Sequence, residues 1–310
     1  MFFKKNNSLK KIVREAEKRK IAIGHFNISN LEQLKAISHV ARKLDVPVIV
    51  GTSEGERDYL GVHHAVDLIK SYNKEHATDN HYLFLNADHT HSLENVRKAA
   101  EVGYDAILFD PTPNFVGRGA SGGKEKILEE SIKLTREAVK IVKKINKNIL
   151  VEGELGYIGS SSEIRKDIPE GAAIKPEDLT KPEEAARFVK ETGVDMLAPA
   201  VGNIHGMFAN APEPRLDIER IRAIKQAVKI PLVLHGGSGN TDEDFLAAID
   251  AGISIIHIST ELRVAWRKGL EESLKKNPDE IAPYKLMAED LKEMERLIEK
   301  KLKLFSKLLK

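Results

Sequence analysis

Eight short runs of apolar, largely β-branched residues punctuate the chain. They lie at 21–28 (IAIGHFNI), 47–53 (PVIVGTS), 82–89 (YLFLNADH), 106–110 (AILFD), 149–156 (ILVEGELG), 196–202 (MLAPAVG), 231–237 (PLVLHGG) and 255–260 (IIHIST). Between them run amphipathic segments with helical spacing. In 31–44, Leu31, Leu34, Ile37, Ala41 and Leu44 make an apolar stripe behind Asn30 as N-cap. Near-continuous apolar strands alternating with helices predict a parallel sheet with helices on its outer face. Eight such units, none reading as a polar edge, predict an α/β fold: a closed eight-stranded parallel (β/α) barrel of the TIM-barrel class.

Local signals support the helices. Thr180-Lys-Pro-Glu183 reads as a capping box with Pro near the helix start, and Thr241 reads as the N-cap after strand seven. Gly103-Tyr-Asp105, Gly193-Val-Asp195 and Gly252-Ile-Ser254 repeat one αβ connection, with Gly supplying a left-handed C-cap. Two stretches break the rhythm: a Gly-rich loop at 111–124 after strand four, and a long loop at 157–178 after strand five. A helical extension follows at about 276–310, where Met287, Leu291, Met294, Ile298, Phe305 and Leu308 fall near heptad spacing. That face predicts either docking on its own barrel or a subunit interface. The whole is read as one domain, with the barrel over about 20–275.

Composition narrows the function. The 310 residues carry a net charge of +2, 41% hydrophobic residues and no Cys. Without Cys there are no disulfides, thiolate nucleophiles or cysteine-based zinc or iron–sulfur sites. The near-neutral charge offers no nucleic-acid surface, and no apolar run approaches the ~20 residues of a membrane span. The opening MFFKKNNSLKKIVREAEKRK lacks the apolar stretch of a signal peptide, so the expected location is cytoplasmic.

Chemistry in such a barrel gathers at the C-terminal ends of the strands. Those ends read Asn86-Ala-Asp88-His89, Glu152-Gly-Glu154, Gly202-Asn-Ile-His205-Gly206, His235-Gly-Gly-Ser-Gly239 and His257-Ile-Ser-Thr260. His89, His205 and His235, from three strands, can converge on one ion and leave a coordination position open, as in a catalytic zinc site. His39, His63, His64, His76 and His81 read as ordinary surface or core residues. His89-Thr-His91 is also the His-x-His of metal-hydrolase barrels, although that motif belongs to a first strand. Asp88 is either a general base beside the metal or an acid that orients an imidazole. Its adjacency to His89 requires the strand to turn there, because neighbouring strand residues point to opposite faces. Gly236, Gly237, Ser238 and Gly239, ahead of a helix, form a candidate phosphate cradle. No predicted strand carries a Lys for Schiff-base chemistry, so electron withdrawal falls to the metal.

The stretches GHFNISNLEQLKAI, NADH, VEGELG, VGNIHG, PLVLHGGSG and HISTELR together resemble the metal-dependent (class II) ketose-bisphosphate aldolases over about residues 20–275. The resemblance implies one zinc ion (Zn2+) on His89, His205 and His235, with Glu154 holding a displaced metal position. It also implies that Asp88 takes the proton from the C4 hydroxyl during cleavage. Gly206, Gly236, Ser238 and Thr260 match positions around the phosphate of dihydroxyacetone phosphate or a nearby Na+ or K+, with Gly237 in the same loop. Ser53 and Arg263 match contacts to a distal phosphate. His257 stands where the family has an Asn that touches the enediolate, and Ser259 where fructose and tagatose bisphosphates are told apart. Asn86 replaces a usual His, and Asp110-Pro-Thr-Pro replaces Asp-Gly-Ser-His. The mobile-loop acid is out of register: Ser162 falls at its position, and Glu163, one beyond, is the candidate for proton exchange at C3. Arg118 or Lys124 in the Gly-rich loop is a further candidate for the distal phosphate.

The expected activity is zinc-dependent, reversible cleavage of fructose 1,6-bisphosphate into dihydroxyacetone phosphate and glyceraldehyde 3-phosphate, a glycolytic carbon–carbon lyase reaction. Tagatose 1,6-bisphosphate is the alternative substrate. A non-catalytic partner subunit or a zinc hydrolase on the same fold are the other readings. The expected partners are a small phosphorylated sugar and further copies of the chain, as a homodimer or homotetramer.

Overall fold

The computed structural model describes residues 8–76, 82–111, 123–156, 158–159, 163–165, 175–176, 178–208 and 214–308. Among them the strands are β1 (Ile23–Asn27), β2 (Val48–Thr52), β3 (Leu83–Thr90), β4 (Ala106–Phe109), β5 (Leu150–Leu155), β6 (Ile164–Arg165), β7 (Met196–Pro199), β8 (Met207–Phe208), β9 (Leu232–Leu234) and β10 (Ile253–Ile258). The helices are α1 (Leu9–Arg19), α2 (Leu31–Leu44), α3 (Glu54–Leu60), α4 (Val62–His76), α5 (Leu93–Val102), α6 (Gly123–Ile145), α7 (Pro182–Thr192), α8 (Ile218–Val228), α9 (Asp242–Ala251), α10 (Thr260–Lys276) and α11 (Pro283–Phe305). All eight predicted strands are present. They close in the order β1-β10-β9-β7-β5-β4-β3-β2, parallel throughout.

Two strands were not expected. β6 and β8 pair in parallel outside the barrel, Ile164 beside Met207, and join the loop after β5 to the segment after β7. The N-terminal end of the barrel is closed by α1. Its Leu9, Ile12, Val13 and Ala16 share one apolar cluster with Ile23, Ile49, Phe84, Leu150, Met196, Val233 and Ile255 from the strands. Burying each large side chain of α1 contributes about 1.5–3 kcal/mol, so the plug is a structural element in its own right.

The repeated αβ connection has a physical basis. Gly103 and Gly193 adopt φ of 101° and 74°, and the acid two residues later caps a neighbouring strand. Asp105 Oδ2 accepts the Leu85 amide at 2.8 Å, and Asp195 Oδ2 accepts the Val151 amide at 2.9 Å. The N-caps Asn30 and Thr241 form as expected, accepting the amides of Gln33 and Asp244.

Other local expectations fail. Thr180 does not cap α7, whose N-cap is Lys181; its hydroxyl donates to the Leu155 carbonyl at 2.6 Å and accepts the Ala200 amide, tying the loop to β5 instead. Leu31 is 40% exposed, so the buried apolar stripe of α2 begins at Leu34, after the buried Gln33. The apolar face of α11 docks on its own barrel: Met294, Ile298, Leu302 and Phe305 are buried, and Glu299 binds Lys43 of α2 at 2.8 Å. Most of the loops at 111–124 and 157–178, with Arg118, Ser162, His81 and the side chain of Lys124, lies outside the described residues.

Candidate active site and metal centre

The site grows from an irregularity in β3. The register with β4 shifts between Ala87 and Thr90, and His89 sits at φ 40°, a left-handed conformation that non-glycine residues seldom adopt. This turn of the strand lets Asp88 and His89 serve the same cleft, as their adjacency required. Arg57 of α3 braces it: the buried guanidinium donates to the carbonyls of Thr52 and Asp88 and to the Thr90 hydroxyl.

Four side chains meet at the rim. Ligand atoms of His89, Glu154, His205 and His235 all lie within 4.8 Å of one another. Among the described residues, His89 Nε2, His235 Nδ1 and Glu154 Oε2 are buried with no hydrogen-bond partner. Buried polar atoms rarely stay unsatisfied, because each costs its full desolvation. Two imidazole nitrogens and a carboxylate oxygen left unsatisfied beside a third His are a donor set that fits a divalent cation.

The surroundings orient the imidazoles. His235 Nε2 donates to Glu152 Oε1 at 2.8 Å, which fixes the ring and leaves Nδ1 for a metal. His89 Nδ1 lies 3.5 Å from Asp110 Oδ2. Burial alone would lower the His89 pKa, but Asp88, Asp110 and Glu154 raise it to about 10. Burial, with Asp110, Glu152 and Asp88 nearby, pushes Glu154 well above the usual carboxylate range. In this crowded anionic pocket a cation would replace both protons. His91 is turned away: its Nδ1 is 2.8 Å from the Asp110 carbonyl and it is not one of the four.

Asp88 faces the cleft. Burial opposes its ionisation, yet His89, His257 and His25 hold its pKa well below the ordinary value. Asn27 donates to Asp88 Oδ2 at 2.8 Å, and His257 Nδ1 is 3.5 Å from Oδ1. His257 stacks on His25 with ring centroids 3.4 Å apart and planes 2° from parallel. Asn86, the departure noted in the sequence, donates to His25 Nε2 at 3.1 Å.

A cleft of about 270 Å³, open mouth included, joins Asn27, Asp88 and His205 to Gly206, Gly236, Gly237, Ser238, His257, Ser259 and Thr260. Gly236, at φ 57°, passes so close to the Ile204 carbonyl that a Cβ would lie 2.3 Å from its oxygen. Only glycine fits that approach. The cradle is less open than the sequence suggests. The Gly237 amide is taken by the His257 carbonyl and that of Gly239 by Glu261, while the amides of Gly236 and Ser238 have no partner among the described residues.

Two expected positions look different in three dimensions. Ser53 and Arg263 do come together, but on a carboxylate of the chain itself, Glu56: Arg263 donates to it at 2.6 Å, and the Ser53 amide and hydroxyl at 2.8 and 2.9 Å. Glu163 is exposed, with its carbonyl accepting the Met207 amide at 3.0 Å, so its main chain is tied beside Gly206.

Sequence reasoning assigned no role to His25, Asn27, Glu56, Arg57, Asp110 or Glu152. The available signal was a polar residue inside an apolar strand, as in His25 and Asn27 of IAIGHFNI and Glu152 of ILVEGELG.

The profile of the family described as "Fructose-bisphosphate aldolase class-II" matches residues 7–308. A fructose-bisphosphate aldolase of Geobacillus stearothermophilus is 32% identical over 281 residues, 90% of each chain. A 6-phospho-5-dehydro-2-deoxy-D-gluconate aldolase of Shouchella clausii is 33% identical over 294 residues, 95% of this chain and 92% of that one. The crystal structure of the YdjI aldolase of Escherichia coli superposes with a TM-score of 0.75 at 30% identity, covering 96% of both chains. The chain belongs to the class II fructose-bisphosphate aldolase family, whose members are metal-dependent carbon–carbon lyases.

Proposed function

We propose that this protein is a zinc-dependent aldolase that reversibly cleaves a ketose phosphate between C3 and C4, releasing dihydroxyacetone phosphate and an aldehyde. Fructose 1,6-bisphosphate, which would give glyceraldehyde 3-phosphate, is the first substrate to test, with tagatose 1,6-bisphosphate beside it. The observation that carries the reading is the convergence of His89, His205, His235 and Glu154 at a cleft shared with Asp88.

The bound ion, held by the three His residues with Glu154 in reserve, would supply Lewis-acid stabilisation of the charge that develops on the ketose oxygens. Asp88 takes the proton of the C4 hydroxyl. The C3–C4 bond breaks, C4 becomes the aldehyde carbon, and the electron pair stays on the three-carbon fragment. Glu163 returns a proton to C3, which completes dihydroxyacetone phosphate. The amides of Gly236 and Ser238, with Gly206 and Thr260, hold its phosphate, and a Na+ or K+ ion is the second cation this loop would take. Asn27 holds Asp88 in place, and His257, backed by His25, faces the fragment in place of the family's Asn.

A second substrate is favoured by the relatives named 6-phospho-5-dehydro-2-deoxy-D-gluconate aldolase. Cleavage of that compound gives dihydroxyacetone phosphate and 3-oxopropanoate, so the same half-site serves both reactions. The non-catalytic reading loses ground because no candidate ligand is missing. The test is release of dihydroxyacetone phosphate from these three substrates by zinc-loaded protein, with and without a chelator. Cleavage that chelation abolishes and zinc restores is expected. Failure of zinc-loaded protein to exchange the C3 hydrogen of dihydroxyacetone phosphate would sink the reading.

A further inference from the structure

The two halves of the substrate meet different surroundings, and Asp88 says which is which. It takes the proton from the hydroxyl on the carbon that becomes the aldehyde, so the groups beyond Asp88 face the aldehyde fragment; this argument rests on the proposed aldolase reading. The side chain next in line is Glu56. One amide nitrogen, Asn27 Nδ2, spans the two acids, 2.8 Å from Asp88 Oδ2 and 2.9 Å from Glu56 Oε2.

Glu56 is 7% exposed and collects the donors that an anion would need there. Its Oε2 accepts the Ser53 amide and hydroxyl, and its Oε1 accepts Arg263, which begins one turn after Ser259 at the cleft. Among the described residues the other cation nearby, Arg57, spends its guanidinium on Thr52, Asp88 and Thr90. An incoming phosphate would therefore meet two carboxylates and a guanidinium that is already paired. The side that holds dihydroxyacetone phosphate differs in degree: Glu261 takes only the Gly239 amide and is itself paired with Lys301, and the Gly237 amide goes to a neutral carbonyl.

We propose that Glu56 is a specificity-determining residue: it fills the distal anion seat, so the aldehyde half of the true substrate ends in neutral hydroxyl groups rather than phosphate or carboxylate. The proposal ranks ketose 1-phosphates with an uncharged tail above the phosphate- and carboxylate-ended substrates, which the same half-site still admits at lower kcat/KM. Such a tail can donate hydroxyls to Glu56 and accept from Arg263 without displacing either, whereas a phosphate must break the pair and approach a like charge.

Glu56 also caps α3 through the Ser53 amide, which is a purely structural reason for its presence. Gln serves equally in a capping box, so Glu56→Gln keeps the cap while it removes the charge and releases Arg263. The experiment is aldol synthesis by zinc-loaded protein from dihydroxyacetone phosphate, with D-glyceraldehyde or D-glyceraldehyde 3-phosphate as acceptor. Hydrogen exchange at C3 of dihydroxyacetone phosphate, which needs no aldehyde, is measured alongside on the unaltered protein. We expect kcat/KM for D-glyceraldehyde to exceed that for its phosphate. Glu56→Gln should shift the ratio toward the phosphate by on the order of 100-fold, the size of a removed like-charge contact. Normal exchange with a preference for the phosphorylated acceptor overturns the proposal while leaving the aldolase reading intact; absent exchange fails the aldolase reading itself. If Glu56→Gln alters both acceptors equally, Glu56 is only a cap and the proposal is wrong.

Discussion

The two ends of this barrel are built on opposite principles. At the N-terminal end α1 inserts Leu9, Ile12, Val13 and Ala16 among apolar strand residues in one buried apolar cluster. At the C-terminal end the same strands finish in buried His, Asp, Glu and Asn, several with a polar atom left unsatisfied. One end stabilises the fold through burial. The other spends part of that stability to hold charges and lone pairs where a metal and a substrate can use them. The division follows from strand direction: parallel strands deliver all their C-terminal ends, and the loops after them, to one face.

Substitutions at the two ends should therefore separate activity from stability. The largest effect is expected at the rim. Asp88→Ala should lower turnover by about 10²–10⁴, while the melting temperature falls only modestly, by the loss of the Asn27 and His257 contacts, because no apolar packing is removed. Steady-state rates and thermal unfolding on the same preparations check both halves. A variant that lost stability in proportion to activity would erase the contrast between the ends. At the plug the pattern should invert. Ile12→Ala should cost about 2–5 kcal/mol of stability, read by denaturant unfolding, and leave kcat/KM per folded molecule unchanged. A catalytic defect there would mean that the plug reaches the rim.

The smallest effect concerns the exception at the lower end, Asp105 at the foot of β4. Burial raises its pKa to about 6, opposed by its hydrogen bond from the Leu85 amide and by Lys70. The unfolded value is near ~3.9, so between these pH values the folded chain binds more protons than the unfolded one. Its contribution to stability is therefore greatest at or below about pH 4 and falls as pH rises through 6. The size is about 1–2 kcal/mol, discounted for the partial exposure of the group. Asp105→Asn should remove that slope from a stability–pH profile over pH 4–7. An unchanged slope would assign it to another group.

How legible the site was depended on how each residue signals itself. His89, His205 and His235 stood at the ends of apolar runs where a barrel puts its chemistry, and the structure brings them together with Glu154. Their supports were harder to see. Arg57 and Glu56 lie on α3, a seven-residue helix too short for periodicity to reveal. Glu152 looked like one more rim acid until its 2.8 Å contact with His235 gave it a partner. Thr180 misled because its sequence fits a capping box, yet the neighbouring strands offered its hydroxyl better partners.

What the sequence determined by itself was the fold class, the number and chain order of the barrel strands, and the chemical character of the rim. Those follow from local periodicity and from chain direction, and both are written in consecutive residues. What only the tertiary structure decided was which polar groups pair across the barrel. Ser53 and Arg263 could be matched to a distal phosphate from sequence, but whether they wait for a ligand or hold Glu56 depends on three elements meeting at one point. Their neighbours there lie 207 positions apart along the chain, Glu56 against Arg263. A close-range electrostatic balance of that kind is set by distances between elements, and distances of that kind exist only once the barrel has closed.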